Sequence, residues 1–124
     1  MERVPILKMG DTLILTIQVE LHDETALRLQ EDILEKIFET KPQGLVIDVS
    51  AVGVVDSFFG RMLSDTAIMA RTMGVETVLV GIQPEIAIIL QEMGLELKGV
   101  HTALNLEKGM ALLQGMGEVG NGED

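Results

Sequence analysis

Asp48 and the neighbouring pair Asp56-Ser57 are the residues of this sequence best placed to do chemistry or to receive it. They bracket the stretch Leu45 to Gly60, LVIDVSAVGVVDSFFG. Leu45 to Val49 is an apolar run interrupted only by Asp48, the pattern of a strand buried on both faces at the centre of a mostly parallel sheet. The run breaks over Ser50 to Gly53, resumes at Val54 and Val55, and delivers Asp56 and Ser57 to a helix-period pattern. Asp and Ser are preferred at such a start because their side-chain oxygens accept backbone N–H groups that the first helical turn leaves unpaired. The Ser57 hydroxyl is thus expected at a helix mouth, beside the carboxyl end of a parallel strand, where ligands and partners dock in open α/β folds. A helix cap and a phosphoryl acceptor are compatible roles for it. Phosphoserine adds about −1.5 to −2 charges, which the N–H groups and dipole of a helix N-terminus can accept. Asp48, ending its strand, has the simpler reading of a carboxylate that accepts loop N–H groups.

Other chemistries find little support. His22 and His101 stand alone without ligand spacing, so neither a metal nor another cofactor is expected. There is no Cys, which removes thiol nucleophiles, thiolate metal sites and disulfides together. Nothing matches a Gly-rich phosphate loop, and no nucleophile-elbow motif surrounds Ser57. An enzyme is therefore not expected. Asp48 could instead accept phosphate as the aspartate of a response-regulator receiver, but such a site needs an acidic pair after the first strand to hold Mg²⁺. Neither Met9-Gly10-Asp11 nor Val19 to Glu24 supplies a convincing one. Ser64 and Thr66 fall inside the helix that Ser57 starts and are less accessible as acceptors.

Ile6 to Met9 and Leu13 to Val19 flank the turn signal Gly10-Asp11, which predicts an antiparallel hairpin with an internal second strand. Leu13, Leu15 and Ile17 alternate with Ile14, Thr16 and Gln18, an apolar face against a mixed one. Asp23 offers an N-cap to a first helix with Leu27, Leu34, Ile37 and Phe38 on one stripe and Arg28, Asp32 and Lys36 on another. Lys41-Pro42-Gln43-Gly44 ends that helix. A second helix runs from about Ser57 to Met73, with Phe59, Met62, Leu63, Thr66, Met69, Ala70 and Met73 at steps of three and four, and Gly74 supplies a left-handed cap. Thr77 to Val80 is the next buried strand, and Pro84 opens a third helix with the stripe Ile86, Ile89, Leu90, Met93, closing at Met93-Gly94. Leu97 to Ala103 is a strand interrupted by Lys98 and Gly99. Asn105 caps a last short helix through Leu113.

Residues 1–114 therefore form one α/β domain, a mixed, mostly parallel central β-sheet with about four helices. Residues 115–124, Gly-rich and acidic, are expected to be a disordered tail. At 124 residues with 47% hydrophobic content, no second domain fits. No apolar run approaches the ~18–20 residues that span a bilayer. The N-terminus also lacks the basic-then-apolar order of a signal peptide, so a cytoplasmic location is expected. A net charge of −11 opposes nucleic acid and anionic membranes. With no Trp, no Tyr and three Phe there is no platform for stacking bases. Partners are expected to be proteins with a basic face.

Asp48 to Ser57, DVSAVGVVDS, resembles the phosphorylation loop of STAS domains, the anti-sigma-factor antagonist family. Val80-Gly81-Ile82-Gln83-Pro84 is similar to the strand-to-helix turn of the members that build stressosomes. The resemblance extends from Val4 to about Leu113, and the Asp-Ser start of the second helix is its most specific part. It implies a non-enzymatic protein phosphorylated on Ser57 by a serine kinase of the histidine-kinase-like ATPase superfamily and reset by a phosphoserine phosphatase. It also implies self-association to at least a dimer, assembly with STAS paralogues that carry sensory domains, and a kinase held until Ser57 is modified. Partner contacts are implied for the loop and helix start: Asp48, Ser50, Asp56, Ser57, Phe58 and Phe59. Sporulation-type antagonists usually follow this serine with a second Ser and a Gly-Leu pair. Phe58-Phe59-Gly60 stands here instead and favours the stressosome branch over direct binding to a sigma-factor inhibitor.

Overall fold

The computed structural model describes residues 4–18, 21–53, 56–92 and 100–122. Along these the order is β1 (Leu7–Met9), β2 (Thr12–Thr16), α1 (Asp23–Thr40), β3 (Gly44–Asp48), α2 (Ser57–Thr72), β4 (Glu76–Val80), α3 (Pro84–Glu92), β5 (Val100–Ala103) and α4 (Leu106–Gly122). The sheet has five strands in the order β1-β2-β3-β4-β5, so β3 is central. β1 is antiparallel to β2 through the Gly10-Asp11 turn, where Gly10 has φ +60, and the other three pairings are parallel. This is the mixed, mostly parallel sheet with about four helices that the pattern of elements predicts.

The period of two along each strand divides the core. One face of the sheet, with Leu13, Leu15, Ile17, Leu45, Ile47 and Leu79, packs against Ala26, Leu29, Ile33 and Ile37 of α1, Phe59, Met62, Leu63 and Ala70 of α2, and Ile86 of α3. The other face, with Ile14, Val46, Val78 and Val80, receives Met110 and Leu113 of α4. Leu45, Val46 and Ile47 are each at most 1% exposed. A strand apolar on both sides is thereby explained: each such side chain contributes about 1.5–3 kcal/mol over an exposed one, and β3 collects this on both faces. One polar tie joins the helices, Gln30 Nε2 donating to Thr66 Oγ1 at 3.0 Å. Thr66 itself is 0% exposed.

Helix punctuation follows the chain's own signals at most ends. Pro84 is the first residue of α3. Gly74, φ +84, follows the Met73 cap of α2, and Asn105 Oδ1 accepts the Lys108 N–H at 2.9 Å to start α4. α1 departs from expectation twice. His22 occupies its N-cap position without a side-chain cap bond, and Asp23 is the first helical residue, where its charge still favours the positive end of the helix dipole. The buried stripe is Ala26, Leu29, Ile33 and Ile37, while Leu27 and Phe38 are 48% and 66% exposed. Two apolar stripes overlap on this helix, and packing against β2 and α2 selects the one with the smaller side chain at its start.

α4 runs to Gly122, past the Leu113 end expected of the last helix. Each residue added to a formed helix gains a hydrogen bond without repeating the cost of nucleation, and the turns that precede it are anchored on the sheet by Met110 and Leu113. Val19, Val54, Val55, Met93-Gly94 and Leu97 to Gly99, with the side chains of Ile89 and Leu90, lie outside the described residues.

Candidate functional site

The carboxyl ends of β3 and β4 build one corner. Asp48, the last residue of β3, turns the chain: its Oδ1 accepts the Ser50 N–H at 2.9 Å and the Ser50 hydroxyl at 2.6 Å. That is the structural duty expected of a strand-end carboxylate. Val49 N–H donates to the Val80 carbonyl at 3.0 Å, carrying the β3–β4 ladder one step beyond the strands, and Val52 N–H closes a turn on the Val49 carbonyl at 3.0 Å.

The β4–α3 turn closes over this loop from the side. Gln83 Nε2 donates to the Ser50 carbonyl at 3.0 Å. Gly81, φ +78, comes so near that a Cβ on it would stand 2.6 Å from Ser50 Cβ. A glycine is required there on two counts, the left-handed backbone and the approach of the neighbouring loop. The sequence marks this turn as part of a motif. It does not show that Gly81 and Gln83 act by gripping Ser50, because that contact joins segments 33 residues apart.

Asp56 and Ser57 divide the work at the helix mouth. Asp56 is the N-cap, extended at φ −98 and ψ 176, and its Oδ1 accepts the Phe59 N–H at 2.8 Å. Ser57 is the first helical residue, exposed, and its hydroxyl has no hydrogen-bond partner among the described residues. The two phenylalanines part in the same way. Phe58 is 36% exposed beside Ser57, whereas Phe59 is 7% exposed and belongs to the core. Phe59 meets Val49, Val52, Leu63, Leu79, Ile82, Gln83 and Ile86 around a gap of about 10 Å³, the room of a single water. Of the six residues expected to contact partners, Asp48, Ser50, Asp56, Ser57 and Phe58 lie along this outer corner. Phe59 is instead the peg that holds the helix start to the sheet.

The remaining titratable residues singled out in the sequence are elsewhere. His101 Nε2 lies 3.1 Å from Glu76 Oε2, which also receives Arg71 at 3.5 Å, at the opposite end of β4. His22 is at the start of α1. Among the described residues no group of three or more His, Asp or Glu is arranged to hold a metal, and no helix is long and apolar enough to cross a membrane.

The profile of the STAS domain matches residues 3–109. The RsbT co-antagonist protein RsbRD of Bacillus subtilis is 31% identical over 108 residues, spanning 86% of this chain and 39% of that protein. The chain therefore covers about two fifths of that relative's length. A solved serine-to-glutamate variant of RsbS from Moorella thermoacetica superposes with TM-score 0.84 at 43% identity, covering 94% of this chain and 99% of that one. A chain from a structure of the stressosome, described there as a signal integration and transduction hub, gives TM-score 0.77 at 42% identity over 91% of this chain and 98% of its own. The corner built by Asp48, Ser50, Gly81, Gln83 and the Asp56-capped Ser57 is thus set in a chain that belongs to the STAS domain family.

Proposed function

We propose that this chain is a non-enzymatic scaffold of a stressosome-type signalling complex, and that it holds a serine kinase until that kinase phosphorylates Ser57. One observation carries the reading. The cap of α2 is made by Asp56, and the exposed hydroxyl of Ser57 at the next position has no hydrogen-bond partner among the described residues, which supports its reading as the phosphoryl acceptor. Ser50 is tied from two sides, to the Asp48 carboxylate and through its carbonyl to Gln83, which suits a surface presented to a partner. Asp48 is committed to the turn, which disfavours the receiver-like alternative. Similarity to RsbS and to a stressosome chain supports the scaffold role over that of a sporulation-type antagonist.

The switch works by charge. Phosphorylation places about two negative charges beside the exposed Asp56, on a chain already at −11. The α2 N-terminus tolerates them locally, while a docked partner must face them. The partners in this reading are the kinase, of the histidine-kinase-like ATPase superfamily, a phosphatase that resets Ser57, sensor-bearing STAS paralogues and further copies of the chain, in the cytoplasm.

Light scattering of the chain mixed with a sensor-bearing paralogue and the kinase, before and after Mg-ATP, tests this. A large complex that loses the kinase on phosphorylation, with affinity falling at least about tenfold, is the expected result. A kinase held equally by both forms contradicts it.

A further inference from the structure

Helices α1 and α2 meet along a seam whose outer side is apolar. Each bridges two parallel strands on the same face of the sheet, so they run side by side in one direction, and the Gln30–Thr66 bond fixes their level. On α1, Leu27, Leu34 and Phe38 lie on the Gln30 flank at steps of three and four, while Asp32, Lys36 and Glu39 on the opposite flank face Val4 to Ile6. On α2, the stripe Phe58, Arg61, Asp65, Ile68 and Thr72 is the one toward α1, because Arg71 on the other flank reaches Glu76 and with it His101 of β5. Phe38 is eight residues past Gln30 and Met73 seven past Thr66, so the two stand at one level at the foot of the seam. Ile68, Met69 and Met73 are 47%, 42% and 43% exposed, and Leu27 and Phe38 are open beside them.

This surface starts at the Ser57 corner, since Phe58 is its upper end. A specific interface takes about 800 Å² from each partner, a patch roughly 30 Å across. Ser50, Asp56, Ser57 and Phe58 are too few to supply that alone. With a rise of about 1.5 Å per residue, Ile68 and Met69 lie about 17–18 Å along α2 from Ser57, inside one such footprint. Charge and position separate the seam from the other exposed apolar residues. Glu24 and Glu31 alternate with Leu27, Leu34 and Phe38 on α1, and Asp56 and Asp65 stand by Phe58 and Ile68 on α2, against Arg61 and Lys41. Leu104 and Leu106 have Glu107 and Lys108 in balance. Leu7 and Met9, like Leu112 on α4, belong to the opposite face of the sheet, and Ile88 stands on α3, across α2 from the seam. A basic-edged apolar partner gains on the seam from both its burial and its charge, whereas a second copy at −11 meets like charge there.

We propose that the kinase docks along the α1–α2 seam, an apolar surface edged with Lys or Arg packing on Leu27, Phe38, Ile68, Met69 and Met73 while its active site reaches Ser57. The proposal rests on the kinase-holding reading above and assigns the surface that holds. Met69 is more than two Debye lengths from Ser57, each about 8 Å at physiological salt. Phosphorylation therefore acts on the corner and leaves the seam contact in place, so the two contributions to affinity multiply.

Hydroxyl-radical footprinting of the wild type uses its own methionines as probes. Bound kinase should protect Met69 and Met73 from oxidation and leave Met9, exposed on β1, unchanged. Calorimetry of an Ile68→Ala, Met69→Ala double variant should show kinase binding at least about tenfold weaker, with Leu112→Ala within about twofold of wild type. The double substitution should cost the same factor on a Ser57→Asp background. A double variant that binds as tightly as wild type, or equal oxidation of Met69 and Met73 with and without kinase, overturns the seam while leaving the kinase reading standing. A wild type that binds no kinase overturns both. A factor that disappears on the Ser57→Asp background overturns the independence of seam and corner. If the double variant loses its helical circular dichroism, the wild-type footprint decides alone.

Discussion

Replacing Gly81 by Ala is expected to separate two costs that glycines usually hide together. Gly81 and Gly74 have similar left-handed backbones, φ +78 and +84, and placing a Cβ in that region costs about 1–2 kcal/mol at either site. Their surroundings differ. A Cβ on Gly74 meets nothing within 4 Å, whereas one on Gly81 meets Ser50 Cβ at 2.6 Å, Ser50 Cα at 3.1 Å and Ser50 N at 3.2 Å. Two of those atoms are backbone in a turn fixed by Asp48 and Gln83, so no rotamer change relieves the overlap. Forcing extra volume into such a contact costs about 1–3 kcal/mol more. Gly74→Ala should therefore lose about 1–2 kcal/mol and Gly81→Ala about 2–5 kcal/mol. Ser50→Gly on the Gly81→Ala background should recover part of the difference as a coupling energy. With no Trp or Tyr, urea unfolding is best followed by far-ultraviolet circular dichroism. A Gly81→Ala variant no less stable than Gly74→Ala, or a pair of substitutions that simply add, refutes the close approach of the two loops.

Four further substitutions test the same corner. Phe59→Ala should destabilise by about 3–5 kcal/mol. Phe58→Ala should change stability by under about 1 kcal/mol while weakening kinase binding about tenfold, measured by calorimetry. Asp56→Ala should cost about 1 kcal/mol in thermal or urea unfolding through loss of the cap, with Asp56→Ser close to wild type. Ser57→Asp puts charge on the positive end of α2 and should leave the fold unchanged or more stable by about 0.3–1 kcal/mol. The same variant should bind the kinase more weakly, so a loss of binding accompanied by unfolding would count against a purely electrostatic switch.

Much of this was legible in the residues because the strongest signals are local. The apolar run of β3, the Gly10-Asp11 turn, Pro84 at a helix start and Gly74 past a helix end each act within a few residues of themselves. The sheet's mixed character follows from a hairpin leading into alternating helices and strands. Where α1 turns its face was not legible, since Ala26, Leu29, Ile33, Ile37 and Leu27, Leu34, Phe38 both satisfy a helical period and only the facing strand and helix choose between them. Phe58 and Phe59 were read together as partner contacts although adjacent helical positions lie about 100° apart. The core stripe through Met62, Leu63 and Thr66 already claims Phe59. The grip of Gly81 and Gln83 on Ser50 was invisible because it is long-range, and the division of labour between Asp56 and Ser57 needed the backbone angles that make Asp56 the cap.

The central claim is that Ser57, relieved of capping by Asp56, is the residue modified by the kinase. Intact-mass analysis of wild type and Ser57→Ala after incubation with the cognate serine kinase and Mg-ATP tests it most directly. A single phosphate on the wild type and none on Ser57→Ala is the predicted result. A variant that gains one phosphate at the wild-type rate contradicts it and moves the site elsewhere on the chain.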